Sequence, residues 1–104
     1  MSISPRVVVK DKDKFVKLHM HLENSSQDEI YGRIVFVIID PKKRKTKIQE
    51  KILLECLSKI DKYYNYEIKN NVLLGRYIVD GNFYFSEGKV RSETYKTDFF
   101  DVVN

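Results

Sequence analysis

The chain has 104 residues, of which 42% are hydrophobic and 33% are charged. This length suits one domain with its own core, and this composition excludes a wholly disordered chain. The net charge of +4 comes from 19 Lys and Arg against 15 Asp and Glu, and because these charges are interspersed they fall short of the footprint of a dedicated nucleic-acid-binding protein.

The first part of the chain is predicted to form three strands. Arg6–Lys10 is the first, entered from Pro5, which cannot donate a backbone hydrogen bond and suits a strand start. The second is a strict alternation whose apolar members are Val16, Leu18, Met20 and Leu22. A turn at Asn24–Asp28 leads to Ile30–Ile39, which is apolar on both faces. Such a strand is either covered on both sides or feeds an interface.

The segment Thr46–Ile68 fits two structures. As a helix it carries an apolar stripe, and Thr46 with Gln49 resembles a capping box. As two strands it has alternating apolar residues on either side of a turn at Ser58–Lys62. We favour the strands, because the other predicted elements are all short strands. The alternative is an α+β fold with a helix around residues 47–63.

The last part of the chain is predicted to be a hairpin. Gly75 supplies backbone freedom just before an alternating strand, Arg76–Phe85. Ser86–Lys89 forms the turn, and Val90–Val103 is the final strand, broken or bulged near Tyr95–Asp98.

In chain order these elements predict an all-β fold, an antiparallel β-sandwich of about seven strands. Two sets of inward side chains are expected to pack against each other: Tyr77, Val79 and Phe83 on one sheet, and Val16, Leu18 and Met20 on the other. We expect one domain over residues 1–104.

Four segments resemble immunoglobulin-like and fibronectin type III-like modules of prokaryotes: HLENSS (His21–Ser26), VFVIIDPKKRK (Val35–Lys45), GRYIVDGNFYF (Gly75–Phe85) and FFDVV (Phe99–Val103). The resemblance implies an immunoglobulin-like sandwich that serves as a binding module or as a spacer. It also implies that a tyrosine near the start of the sixth strand, here Tyr77, bonds the backbone at the sheet corner. The chain has no tryptophan and one cysteine, so it is not an antibody-type domain.

No membrane insertion is expected. The longest apolar run, Ile34–Ile39, has six residues, whereas a membrane-spanning helix needs about 20. The N-terminus lacks the basic segment and apolar block of a secretory signal. We therefore expect a cytoplasmic protein if Met1 is the native start, and a cell-surface or secreted one if the chain is a fragment.

Few residues are candidates for chemistry. Cys56 lies among leucines and isoleucines and is expected to be a small buried hydrophobe. His19 and His21 fall on the same face of a strand and are weak candidates for a metal site, with Glu23 as the third ligand; the alternative is an exposed polar face. No catalytic or cofactor motif is present, so an enzyme is not expected and no cofactor is predicted.

Two features are candidates for binding. The run PKKRKTK, Pro41–Lys47, contains the candidate cations Lys42, Lys43, Arg44 and Lys45. These side chains could bind phosphates, or they could be the solvated tip of a hairpin that also protects a strand edge from aggregation. Tyr31 and Tyr84 have the strand parity expected to face outward, where they could form an exposed patch for a protein or carbohydrate partner.

The sequence therefore favours a non-enzymatic immunoglobulin-like module for protein or carbohydrate binding, acting within a larger assembly or by self-association. The alternative is a small basic nucleic-acid-binding protein that uses the 41–47 loop.

Overall fold

The computed structural model describes residues 1–87 and 90–104, and it describes their side chains outside residues 86–95. In this part of the chain there is no helix, and the elements are the strands β1 (Ser2–Ser4), β2 (Val7–Val9), β3 (Phe15–Asn24), β4 (Ile30–Ile39), β5 (Lys45–Leu54), β6 (Ser58–Glu67), β7 (Gly75–Glu87) and β8 (Val90–Val103).

The strands form two sheets. A three-stranded sheet has the order β1-β3-β6, and a five-stranded sheet has the order β2-β8-β7-β4-β5. All neighbouring strands are antiparallel except β2 and β8, which are parallel. The predicted all-β sandwich is confirmed, with one strand more than expected among the described residues.

The core lies between the inner faces of the two sheets. The predicted inward residues of β7 and β3 are all buried, and they belong to one hydrophobic cluster with the inward residues of β4, Ile34, Phe36 and Ile38. The rings of Tyr77 and Phe100 stack with centroids 4.9 Å apart. Alternating burial along β3 and over the described part of β7 explains why the period-two pattern predicted these strands correctly.

Gly32 allows β4 to pass close to the core aromatics. A Cβ atom at this position would overlap the ring of Phe83 at less than 3 Å. Gly75 opens β7 with a φ of +126°, which confirms the predicted need for a glycine there.

The N-terminal prediction is partly wrong. In place of one strand at Arg6–Lys10 there are two, β1 and β2, on either side of Pro5. β1 pairs with β3, whereas β2 pairs with β8, so the chain changes sheets at this proline. Three-residue strands are too short to show an alternation, which is why β1 gave no signal.

The helix around residues 47–63 is wrong, and the two strands are confirmed. The predicted turn at Ser58–Lys62 is also wrong, since the chain turns at Glu55–Leu57, where Leu57 has a φ of 53°. β6 pairs with β3 over its whole length, from Phe15↔Glu67 to Asn24↔Ser58. This pairing overrides the helix propensity of the segment. β5 and β6 lie in different sheets, so this turn is a crossover.

Three smaller expectations have clear outcomes. Cys56 is exposed, so its predicted burial is wrong, because it lies in the crossover turn and outside the strand alternation. The predicted break near Tyr95–Asp98 is wrong, because the β7–β8 register continues through both residues. The tip of the predicted turn at Ser86–Lys89 lies outside the described residues.

Candidate functional site

The two predicted tyrosines lie on the outer face of the five-stranded sheet. Tyr31 of β4 is 63% exposed and Tyr84 of β7 is 39% exposed. Arg33 lies directly opposite Tyr84, and its guanidinium carbon is 5.6 Å from the centroid of that ring. Leu53 of β5 lies opposite Tyr31 and is also exposed. We call Tyr31, Arg33, Leu53 and Tyr84 the tyrosine patch.

The outer face remains apolar beyond the tyrosine patch. Val37 and Ile39 of β4 are half-buried there, as are Ile78 of β7 and Phe99 of β8. The guanidinium carbon of Arg76 lies 3.9 Å from the centroid of the Phe99 ring. The apolar outer positions of β4 therefore continue into a surface shared by three strands, which accounts for a strand that is apolar on both faces.

Three of the predicted basic residues, Lys42, Lys43 and Arg44, lie in the turn between β4 and β5, which Asp40 organises, and Lys45 is the first residue of β5. Its carboxylate accepts the backbone N–H groups of Lys42 and Arg44, each at 2.9 Å, and the Nε of Arg44 at 2.7 Å. Burial alone would raise the pKa of Asp40, but the hydrogen bonds from Arg44 outweigh it, and the pKa lies below its usual value. Arg44 is thus neutralised, and Lys42, Lys43 and Lys45 form no ion pair with the described residues.

A row of lysines extends this charge along the outer face of β5. Lys45, Lys47 and Lys51 point to the same side, and Lys51 lies opposite Arg33 of β4. We call Lys45, Lys47 and Lys51 the lysine row. Sequence reasoning missed Lys51 and Arg33, although the parity of residues 45, 47, 49 and 51 would have revealed the row once β5 was accepted as a strand.

The predicted binding residues do not form one compact site. Tyr31 is the second residue of β4 and Ile39 is the last, and this separation of eight residues along the strand spans about 27 Å. The tyrosine patch and the basic turn therefore occupy opposite ends of one face, with the lysine row between them.

The two histidines lie on the outer face of the other sheet, in a chain of hydrogen bonds. His19 Nε2 and His21 Nδ1 approach the same oxygen of Asp61, at 2.7 and 2.8 Å. His21 Nε2 lies 2.9 Å from Glu23, whose carboxylate is 3.6 Å from Lys59. Asp61 was not predicted, because the pairing of β3 with β6 could not be read from the sequence.

These contacts shift the ionisation of the cluster. Hydrogen bonds to Glu23 and Asp61 raise the pKa of His21. The bond from His21 and the nearby charge of Lys59 lower the pKa of Glu23, and bonds from His19 and His21 lower that of Asp61.

The histidines do not converge on a metal site in the described part of the chain, where no group of three His, Cys, Asp or Glu residues could hold a metal ion. Each ring nitrogen has a neighbour in the cluster, including Ser2 Oγ at 3.2 Å from His19 Nδ1. Tyr63 stacks on His19 with ring centroids 4.5 Å apart. The arrangement is thus a hydrogen-bonded surface cluster.

Two comparisons with known proteins were negative. No protein-family model matches the chain, and no curated protein matches it. The described residues also contain no helix that is long and apolar enough to cross a bilayer.

Proposed function

We propose that this chain is a non-enzymatic, immunoglobulin-like binding module and that it docks a protein partner on the outer face of its five-stranded sheet. In immunoglobulin sandwiches, strands A, B and E share one sheet and strands C, F and G the other, to which variable-type domains add C′ beside C. The order β1-β3-β6 against β8-β7-β4-β5 supports this assignment. The bond from the Tyr77 hydroxyl to the Leu73 carbonyl, at 2.8 Å, supports it further.

The observation that carries the proposal is the tyrosine patch and its apolar continuation. Tyrosine and arginine are enriched among residues that dominate binding energy, and a partly apolar centre with a polar rim is the usual anatomy of an interface. The face joins exposed Tyr31 and Tyr84 to half-buried Val37 and Ile78, and the lysine row forms a polar margin. An exposed aromatic patch also suits a carbohydrate ligand. Carbohydrate binding by the variants described next would test that possibility.

The test compares two faces of the same protein. The double variant Tyr31→Ser, Tyr84→Ser removes the tyrosine patch, and Tyr63→Ser removes a similarly exposed tyrosine from the opposite sheet. Light scattering of each purified protein measures self-association, and quantitative capture from the source cells measures other partners. We expect wild type and Tyr63→Ser to retain a binding partner. The double variant should retain at least tenfold less of that partner. Equal retention by all three proteins would exclude the tyrosine patch as the binding face.

Nucleic-acid binding is a second candidate, favoured by the extension of the basic turn into the lysine row. Because Arg44 is neutralised by Asp40, Arg44→Gln is expected to matter little. The triple variant Lys45→Gln, Lys47→Gln, Lys51→Gln should instead remove most of the affinity. A labelled oligonucleotide titrated at several salt concentrations decides the question, since phosphate contacts make affinity fall steeply as salt rises. Binding that ignores salt or survives the triple variant rules this function out.

A further inference from the structure

The outer edge of β5 is a free sheet edge with a defined set of unpaired backbone groups. β5 ends the five-stranded sheet and pairs only with β4. Across the turn, the Asp40 N–H donates to the Arg44 carbonyl at 2.9 Å, so that pair is hydrogen-bonded. Opposite residues of an antiparallel ladder alternate between bonded and non-bonded pairs. The bonded residues of β5 therefore include Thr46, Ile48, Glu50 and Ile52, and the residues whose backbone groups point away from the sheet include Lys47, Gln49 and Lys51.

The side chains along this edge differ sharply between the two faces. On the outer face, Lys47 and Lys51 form no ion pair with the described residues. On the inner face, Ile48 and Ile52 are half-buried at the margin of the core. Glu50 lies between them and is held by Lys62 at 3.1 Å and Tyr64 at 2.9 Å.

We propose that the free edge of β5 accepts an extended acidic segment of a partner protein as an added strand. Its carboxylates lie on the outer face beside Lys47 and Lys51, and its apolar side chains lie on the inner face beside Ile48 and Ile52. Backbone hydrogen bonds to an exposed edge provide affinity in such complexes, and alternating side chains provide specificity. Opposite charges on neighbouring strands add to the pairing.

Charge selects this occupant over a second copy of the chain. Two β5 edges brought together would place lysines beside lysines, which destabilises a strand pair. Lysines on an edge are also a common protection against self-association, and that protection does not act against an acidic strand. The free edge of β6 shows no such preference, because its outward row mixes Lys59 with Asp61 and Glu67.

The test uses a seven-residue peptide that alternates Glu and Val, with two controls. One control has the same composition with Glu and Val in separate blocks, and the other alternates Lys and Val. We expect the Glu/Val alternation to bind at least tenfold more tightly than either control. Hydrogen exchange should show new protection at the amides of Lys47, Gln49 and Lys51, while the amides of Ile48 and Glu50 change little. Equal binding of the block peptide would overturn the proposal.

Variants of the edge separate strand addition from simple charge attraction. Gln49→Pro removes a free donor without removing a bond to β4, and Gln49→Ala keeps the donor as its control. Gln49→Pro should weaken the Glu/Val peptide at least tenfold, whereas Gln49→Ala should not. If Gln49→Pro does not fold, the pair Lys47→Glu, Lys51→Glu must reverse the preference toward the Lys/Val peptide, and its binding of the alternating Lys/Val peptide must exceed its binding of a Lys/Val peptide with the two residue types in separate blocks, which simple charge attraction does not predict.

Two further outcomes are decisive. One outcome is that an oligonucleotide binds Gln49→Pro and Gln49→Ala with equal strength, while the Glu/Val peptide binds neither variant. That result would assign the lysine row to nucleic acid and overturn strand addition. The double variant Tyr31→Ser, Tyr84→Ser should leave peptide binding unchanged. This inference and the tyrosine patch can therefore fail independently.

Discussion

At the scale of single residues, Tyr77 shows how one side chain serves both the core and the corner of a sheet. Its ring is 2% exposed and stacks on Phe100, while its hydroxyl reaches the Leu73 carbonyl in the segment that leads into β7. Burial is the main cause of the raised pKa of Tyr77, so the hydroxyl stays protonated and donates. The hydrogen bond fixes the entry of β7 relative to the core.

Tyr77→Phe tests this bond alone. It keeps the ring and removes the hydroxyl, so the Leu73 carbonyl loses its donor, and we expect a loss of about 1 kcal/mol in the free energy of unfolding. Urea unfolding followed by tyrosine fluorescence measures it. Tyr63→Phe is the matched control on an exposed ring and should change stability by less than about 0.5 kcal/mol. Equal losses in both variants would show that the bond to Leu73 contributes nothing.

At the scale of the strands, Asn24 joins two connections that are distant in sequence. It is 2% exposed, and its side-chain amide donates to the carbonyls of Asp28, Leu54 and Glu55 at 2.8 to 3.2 Å. Its side-chain oxygen accepts the backbone N–H and the hydroxyl of Ser26. The end of β3 is thus tied to the crossover between β5 and β6.

Asn24→Ala should therefore destabilise the fold more than an average surface change. Five hydrogen bonds of the side chain, one buried and four part-buried, are lost at once, and we expect a cost of about 3 kcal/mol in the free energy of unfolding. Asn65→Ala, on the exposed face of β6, is the control and should cost less than about 0.5 kcal/mol. A calorimetric scan of both proteins decides this, and similar melting temperatures would contradict a role for Asn24 as a tie.

The strands could be predicted from the sequence because burial alternates along them, as in β3 and β7. The partners of those strands could not. Asp61 meets His19 and His21 only because β6 pairs with β3 across some 40 residues of chain. The crossover was misplaced because Ser58–Lys62 is as polar as a turn, while the true turn contains Leu57 and Cys56. The neutralisation of Arg44 by Asp40 depends on the geometry of the turn, so it could not be predicted from the composition of the segment either.

At the scale of the whole molecule, stability should depend on pH through the histidine cluster. The raised pKa of His21 means that its contribution is fully present below its unfolded pKa, about 6.5, and is lost as pH rises through the folded value. The lowered pKa values of Asp61 and Glu23 mean that their contribution is present above about pH 4 and is lost as pH falls. The cluster is therefore most stabilising in mildly acidic solution.

The comparison of wild type with His21→Gln isolates this effect. We expect the difference between their urea midpoints to be largest below the unfolded pKa of His21, about 6.5, and to shrink as pH rises through its higher folded pKa and the imidazole loses its proton. Proton NMR of the imidazole resonances gives the titration of His21 directly. A difference that grows with pH would mean that the ion pairs with Asp61 and Glu23 do not stabilise the fold.

The pairing of β2 with β8 sets how the molecule would respond to mechanical load. Because these two strands are parallel, tension between Val7 at the start of β2 and Val103 at the end of β8 pulls them along their length in opposite directions. The bonds from Asp101 N–H to the Arg6 carbonyl and from Lys10 N–H to the Val103 carbonyl, at 2.9 and 2.8 Å, are then sheared together with the ladder between them. Such a clamp has to rupture as a unit, whereas bonds pulled open from one end break in succession. Single-molecule pulling between the start of β2 and the end of β8 would measure that resistance.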